Sequence, residues 1–468
     1  MLTKNLMHLN RQLEKVLIRH SSSRPSREGF WMPFTDHNRF KKDEKIFERA
    51  NGVFYYTPDG REIFDGMSGL WCVNAGHNQP KIVKAIQDQA AKMDFAPCFN
   101  TGHNLGHQFA QKVLELLPGK GFNEVFFTMC GSTAVDTAMK IALAYHRGKG
   151  EGQRVRFIGR ERAYHGVGFG GISIGGISPN RKAFSGALLP HVDHLPHTHS
   201  LKDMAFSKGQ PKWGAHLADD LERIIALHDA STIAAVFIEP VAGSTGVLPP
   251  PVGYLERLRE ICTKHGILLV FDEVITGFGR LGASFGAMKF NVTPDMITCA
   301  KGLTNAAVPA GAVIAQGHVF DTIYNSAHAL PETQIEFFHG YTYSAHPLAM
   351  AAGMATMDVF KETKAFENAN ALAPYWEELV HSLKGLPHVV DIRNMGLMGA
   401  VEFAAVPGSP LRRSMDIFDR AFKKGALVRV SGPSIAMSPP LVSNKQQLEM
   451  LVDIMRRSII ESAEHVKQ

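Results

Sequence analysis

Cysteine is scarce in this chain. The 468 residues hold five, Cys72, Cys98, Cys130, Cys262 and Cys299, an odd and widely spread set with no pair at zinc-ligand spacing. That excludes a disulfide scaffold and reads as a reduced, cytoplasmic protein. Long hydrophobic runs are also missing. None approaches the roughly 20 residues a membrane-spanning helix needs, and the longest useful one, Ile267 to Phe271, has the length of a buried strand. Excess charge of one sign is small, +6 overall, with bases interleaved among acids. No basic stripe therefore marks a nucleic-acid partner. Internal repeats, low-complexity tracts and a secretory h-region are absent as well. What remains is 45% hydrophobic and 20% charged, too apolar for disorder and ordinary for a globular protein. The length suits about three domains, or one large domain with a smaller partner.

Residues 1–28 stand apart. They carry six basic residues against Glu14 and Glu28, with apolar Leu6, Leu9, Leu13, Val16 and Leu17 ahead of Ser21, Ser22 and Ser23. The pattern predicts an amphipathic helix packed on the body or on a partner. A mitochondrial transit peptide, and with it a matrix location, is the alternative.

Residues 53–65 read as a hairpin around Pro58-Asp59-Gly60. A short amphipathic helix is expected over 80–93. From about 104, helices such as 132–147 and 251–265 alternate with apolar strands at 124–128, 154–158, 233–238, 267–271, 295–299 and 311–315. That succession predicts an α/β fold with a mostly parallel sheet covered on both faces. After helix 347–363 come strands near 387–393, 398–403 and 426–430, then helix 445–465. The expected division is an N-terminal segment 1–28, a large domain 104–345, and a small α+β domain built from 29–103 and 346–468.

The chemistry gathers behind three consecutive buried strands. IAAVFI ends in Glu239, ILLVF ends in Asp272, and DMITCA ends in Lys301, at intervals of 33 and 29 residues. Each interval is about one strand–helix–strand unit. Ligands of open parallel sheets bind outside the carboxyl ends of the strands, so the three side chains share one edge. A lysine there has a depressed pKa and becomes a nucleophile toward aldehydes. A nearby aspartate suits a protonated ring nitrogen, and the pair is how proteins hold pyridoxal phosphate. A structural Asp–Lys ion pair at the sheet rim explains the spacing equally well. Gly131 and Ser132 open a helix after strand 124–128 and can offer N–H groups to a phosphate. Tyr164-His165-Gly166 follows strand 154–158 and can supply a stacking aromatic or simply a loop residue packed on the core.

Two further patterns carry less. HVDHLPHTH at 191–199 holds four histidines, but His-Leu-Pro-His reads as a polar turn, and no metal site is expected. The glycine-rich stretch 166–176 lacks the strand-before, helix-after setting of a dinucleotide fingerprint.

These residues sit in blocks that resemble one family. GLWCVNAGH (69–77), GSTAVDTAMK (131–140), YHG (164–166), EPVAGSTGVLPPPVGYL (239–255), FDEVITGFGRLG (271–282), PDMITCAKGLTN (294–305) and HGYTYSAHP (339–347) are similar to those of class III pyridoxal-phosphate-dependent aminotransferases. Within that family the resemblance is to the ω-amino acid (β-alanine):pyruvate aminotransferases, and it runs over residues 30–465. It implies the fold type I architecture and a transamination in two stages. The resemblance assigns Lys301 as the amine that bonds the cofactor aldehyde and then shifts a proton. It assigns Asp272 to the ring nitrogen, Val274 and Tyr164 to the two ring faces, and Gly131 and Ser132 to the phosphate. His165 and Glu239 fall beside the ring. Thr342 would reach the phosphate of a neighbouring subunit, so that a homodimer, or a tetramer of such dimers, shares its sites. Arg429 matches the receiver of a substrate carboxylate, and Trp71 and Phe34 would line the pocket. Taurine, 4-aminobutyrate and diamines are alternative donors, and a nucleotide-dependent dehydrogenase is the alternative from another class. The chain departs from the family at Thr128-Met129-Cys130-Gly131-Ser132-Thr133, where Thr-Asn-Ser-Gly-Ser-Glu is usual. Backbone N–H groups and Ser132 are expected to bind the phosphate in spite of this.

Overall fold

A computed structural model describes residues 28–327 and 335–466. The predicted N-terminal helix falls on residues outside the described ones, Glu28 excepted. Two units are distinguished, Met1–Glu48 and Arg49–Gln468. In the first, helix His37–Lys42 is capped by Asp36, whose Oδ1 accepts from Arg39 N at 3.1 Å. Phe34 precedes it, 81% exposed.

The second unit begins with the expected hairpin. Strands β1 (Arg49–Asn51), β2 (Phe54–Tyr56) and β3 (Glu62–Asp65) are antiparallel neighbours, and Gly60 takes the positive φ that the turn needs. Seven strands then form the central sheet: β4 (Phe122–Thr128), β5 (Arg156–Arg160), β6 (Val192–Leu195), β7 (Ile233–Ile238), β8 (Leu268–Asp272), β9 (Met296–Ala300) and β10 (Gly311–Gln316). Their order is β4-β10-β9-β8-β7-β5-β6. Strand β10 runs antiparallel to both neighbours, while β6, β5, β7, β8 and β9 are mutually parallel. Every residue of β7, β8 and β9 is buried, because helices cover both faces of the sheet. On one face helix Gly131–Gly148 presents Ala134, Val135, Ala138, Met139, Ile141 and Ala142, a single helical stripe, to Phe237, Val270 and Val313. On the other, Tyr254, Leu255, Leu258 and Ile261 of helix Tyr254–His265 join Val236, Leu269 and Phe271.

Beyond helix Pro347–Glu362, strands β11 (Val389–Met395), β12 (Met398–Phe403), β13 (Ala426–Leu427), β14 (Arg429–Ser431) and β15 (Ser434–Met437) follow. The expected strand 426–430 is broken at Val428. Its first half, β13, pairs parallel with β3, and its second half, β14, pairs with β15 in the antiparallel sheet β11-β12-β15-β14. One end of the chain is thereby stitched to the other. The reading of 191–199 as a turn is corrected too. Residues 192–195 form β6, an edge strand whose side chains are mostly half-buried, and so it lacks the apolar signature of its neighbours.

The histidines of that stretch have other partners. His194 Nε2 lies 2.9 Å from Gly175 O. His199 sits beside Asp391 and Glu402, an arrangement with the reach of a metal site. A guanidinium already fills the space between them: Arg393 Nη1 contacts Asp391 Oδ2, Glu402 Oε2 at 2.6 Å and His199 Nε2 at 2.9 Å. Among the described residues no helix is long and apolar enough to cross a membrane.

Candidate active site

Because β7, β8 and β9 are adjacent and parallel, their carboxyl ends bring Glu239, Asp272 and Lys301 to one edge of the sheet. The rim ion pair that the spacing allowed is not formed: among the described residues no salt bridge joins Asp272 to Lys301. Asp272 is bonded instead to His165, whose Nδ1 stands 2.8 Å from its Oδ2, and its Oδ1 accepts from Val274 N at 3.2 Å. Both partners of this histidine–carboxylate pair are buried. With Nδ1 donating to the carboxylate, the opposite ring nitrogen of His165 is a buried atom without a partner among the described residues.

Lys301 begins the short turn Lys301–Thr304 after β9, and its backbone lies in the left-handed region at φ 53°. Only glycine takes that region freely, so the surroundings must hold the lysine there. No hydrogen bond to its Nζ occurs among the described residues. Burial pushes the amine down to about 8, and Arg429 acts in the same direction, while Cys72, Asp272 and Glu239 oppose the shift. The result is an amine with a sizeable neutral fraction near neutral pH. Glu239 accepts from Tyr164 N at 3.0 Å and from Gly243 N at 3.3 Å. Burial raises its pKa and Asp272 raises it further, against the pull of His165.

The start of helix Gly131–Gly148 meets the 164–167 turn very closely. A Cβ on Gly166, at φ 91°, would lie 2.5 Å from Ser132 Oγ, and one on Gly131 would lie 2.9 Å from Val274 Cγ1. Both glycines are thus required by close approach. Ser132 Oγ accepts from Val167 N at 3.1 Å, which leaves its own O–H to donate. The unusual Met129-Cys130 pair is closed by Thr133, whose Oγ1 accepts from Cys130 N at 3.0 Å and from Met129 N at 3.3 Å. One hydroxyl thus accepts from both N–H groups at the helix start.

Tyr164 and Val274 are half-buried, and each is positioned by its own N–H on an acid of the cluster. Arg429 opens β14. Its Nε is buried without a partner, and no carboxylate pairs with it among the described residues. Burial lowers its pKa, opposed by Tyr164. A half-buried cation without a counter-ion is costly and suits an incoming carboxylate. Trp71, 2% exposed, stands in a strained loop where Ser68, Gly69 and Trp71 all have positive φ, and its indole N–H has no partner among the described residues. Thr342 is exposed, and its hydroxyl makes no hydrogen bond among the described residues. Phe34 belongs to the first unit.

Three neighbours of the site were not singled out by the sequence. Arg280 is fully buried and donates to Pro439 O at 2.6 Å, Asn74 Oδ1 at 2.7 Å and Ser68 Oγ at 3.0 Å, and burial pushes it down to about 9. Glu273, pushed up to about 7 by burial, accepts from Ala287 N and Thr276 Oγ1 at 2.8 Å. Cys72 follows Trp71, and its thiol is pushed up by burial and drawn back down by Lys301. Charged residues inside the apolar block FDEVITGFGR were the available signal for the first two.

A free amine, a histidine-oriented carboxylate and a tight helix start fit an aldehyde cofactor that carries a cationic ring and a phosphate. Comparison with known proteins agrees. Residues 39–459 match the family model described as aminotransferase class-III. The chain is 59% identical over 430 residues to the omega-aminotransferase of Caulobacter vibrioides, covering 92% of this chain and 97% of that protein. It is 46% identical over 439 residues to the beta-alanine–pyruvate aminotransferase of Pseudomonas aeruginosa, with coverages of 94% and 97%. An amine transaminase from an uncultivated Pseudomonas species, solved in its PLP-bound form, superposes with a TM-score of 0.85 at 32% identity over 94% of this chain and 100% of that one.

Proposed function

Because the chain belongs to the class III aminotransferases and has their fold type I architecture, we propose that it transfers an amino group from an ω-amino acid or amine of the β-alanine kind to pyruvate. The cofactor of this reading is pyridoxal phosphate. The observation that carries it is the unpaired, depressed-pKa amine of Lys301 beside the buried Asp272–His165 pair.

Bound pyridoxal phosphate supplies an aldehyde for the amine and a ring that withdraws electrons when its nitrogen is protonated. Lys301 would hold the aldehyde, and its Nζ would take and return the proton of the transfer. A pKa of about 8 suits both directions of that transfer. Asp272 would offer an oxygen to the ring N–H, and its bond to His165 holds its rotamer. Gly131 and Ser132 would hold the phosphate, Tyr164 and Val274 would pack on the ring, and Glu239 and His165 would serve its polar edge. Arg429 would receive the substrate carboxylate, and Trp71 would line the pocket. The partner subunit's Thr342 completes the phosphate site in a cytoplasmic homodimer, a reading supported by the exposure of Thr342.

A donor and acceptor screen on purified enzyme tests the specificity. The highest kcat/KM is expected for β-alanine or a related ω-amine with pyruvate. A preference for taurine, a diamine, or 4-aminobutyrate with 2-oxoglutarate would replace that donor assignment. Borohydride is expected to remove the visible band and the activity together, and a band and activity that both survive it would take Lys301 out of the aldehyde-binding role.

Arg429 permits a sharper measurement. A hydrogen-bonded charge pair contributes about 1.5–3 kcal/mol, so Arg429→Leu is expected to lower kcat/KM for pyruvate by about tenfold to a hundredfold. Half-reactions with amines that lack a carboxylate should change little. Equal losses for both classes would remove the carboxylate role.

A further inference from the structure

Asn305 lies four residues beyond Lys301, is 6% exposed and has φ 51°. Its side chain uses both poles on one target: Oδ1 accepts from Ala75 N at 2.8 Å, and Nδ2 donates to Gly76 O at 2.8 Å. The target is the loop that carries Trp71 and Cys72. The backbone of the Lys301 turn is strained despite its internal bonds, among them Ala307 N to Thr304 O at 3.0 Å and Thr304 Oγ1 to Val308 O at 2.6 Å. Lys301, Asn305 and Ala306 are all left-handed, and the closing bonds Ala306 N to Lys301 O and Asn305 N to Gly302 O measure 3.1 and 3.3 Å. Three non-glycine residues of that kind within six persist only where the surroundings over-determine them.

The surroundings here are the same loop. A Cβ on Gly302 would lie 2.8 Å from Asn74 Nδ2, so turn and loop are already in van der Waals register. Asn74 is in turn anchored by Arg280, by Phe278 O at 2.8 Å, and by Leu441 N on its carbonyl. Arg280 and Asn74 thus hold the loop to the body, and the Asn305 amide holds the Lys301 turn to the loop.

We propose that Asn305 is a positioning residue that sets the place of the Lys301 amine relative to the Trp71 wall of the pocket. The inference rests on Lys301 being the reacting amine. Asparagine is suited because it tolerates left-handed backbone and offers a donor and an acceptor together. Releasing the clamp lets the turn relax and the amine drift, and displacements of about 1 Å at a reacting group cost up to about a hundredfold in rate.

Asn305→Gly separates the clamp from the backbone, since glycine adopts φ 51° without strain and deletes both hydrogen bonds. Full-length protein freed of cofactor is mixed with pyridoxal 5′-phosphate and quenched with borohydride at intervals, and the adduct on the Lys301 peptide is quantified by mass spectrometry. Alongside, kcat, KM for β-alanine and pyruvate, and Tm are measured. The expected result is a capture rate and a kcat about tenfold lower or more, with the KM for pyruvate changed far less. Wild-type capture and kcat, or a loss confined to Tm, overturn the proposal. Should Asn305→Gly fail to fold, Asn305→Asp decides. It keeps the acceptor for Ala75 N and puts a carboxylate oxygen against Gly76 O. A fall in capture supports the clamp, and a wild-type rate overturns it. Absence of any adduct on Lys301 in the unsubstituted protein would instead sink the reading of Lys301, and with it this inference.

Discussion

Lys301→Ala is expected to abolish turnover, by about 10⁴-fold or more, since it removes a nucleophile and a general base together. The fold should survive. No hydrogen bond to Lys301 Nζ occurs among the described residues, and alanine at φ 53° bears the same left-handed penalty that lysine already bears. A thermal scan is therefore expected to show a Tm at or slightly above the wild-type value, because a partly desolvated cation is gone. The unsubstituted protein supplies the matching pH signature. With the amine pushed down to about 8, the rate of adduct formation with pyridoxal 5′-phosphate should rise with pH and level off just above 8. An ordinary lysine would keep rising toward about 10.4. Residual turnover within tenfold of wild type in Lys301→Ala would remove this residue from the chemistry.

Asp272→Asn is expected to have the next largest effect, a fall in kcat of about tenfold to a hundredfold. The carboxylate provides two anionic oxygens, one taken by His165 Nδ1 at 2.8 Å and one by Val274 N at 3.2 Å, each with lone pairs to spare. Asparagine has a single acceptor. If its oxygen serves His165, its NH₂ faces the Val274 N–H. If its oxygen serves Val274, the NH₂ opposes the histidine. In neither case is there a negative charge to keep a ring nitrogen protonated, and the lost charge-assisted bond is worth about 1.5–3 kcal/mol. The check is single-turnover kinetics beside far-UV circular dichroism. A native spectrum with a wild-type rate would mean that the ring is held by another group.

The strands behind the site were legible because each is a short apolar run at about one strand–helix–strand interval, and burial on both faces leaves no alternation to misread. Strand β6 was not, since an edge strand with half-exposed side chains has the composition of a loop. The break at Val428 was also hidden. Nothing local distinguishes a continuous strand from one that leaves one sheet for another, and the switch is dictated by β3 on one side and β15 on the other. The family resemblance pointed to Asp272 and Lys301 residue by residue. The roles of Arg280 and Asn305 lay in bonds to residues more than 200 positions away, beyond any local pattern.

The sequence by itself determined the α/β fold class and the buried strands of the central sheet, because these follow from local apolar periodicity, and the family resemblance of the motifs singled out the amine and carboxylate at their ends. Tertiary structure alone decided that Asp272 turns to His165 rather than to Lys301, that Arg429 has no carboxylate partner among the described residues, and that Asn305 ties the Lys301 turn to the loop after Trp71. Hydrogen-bond partnership and desolvation depend on which distant segments are packed together, and that is settled only when the chain has closed on itself.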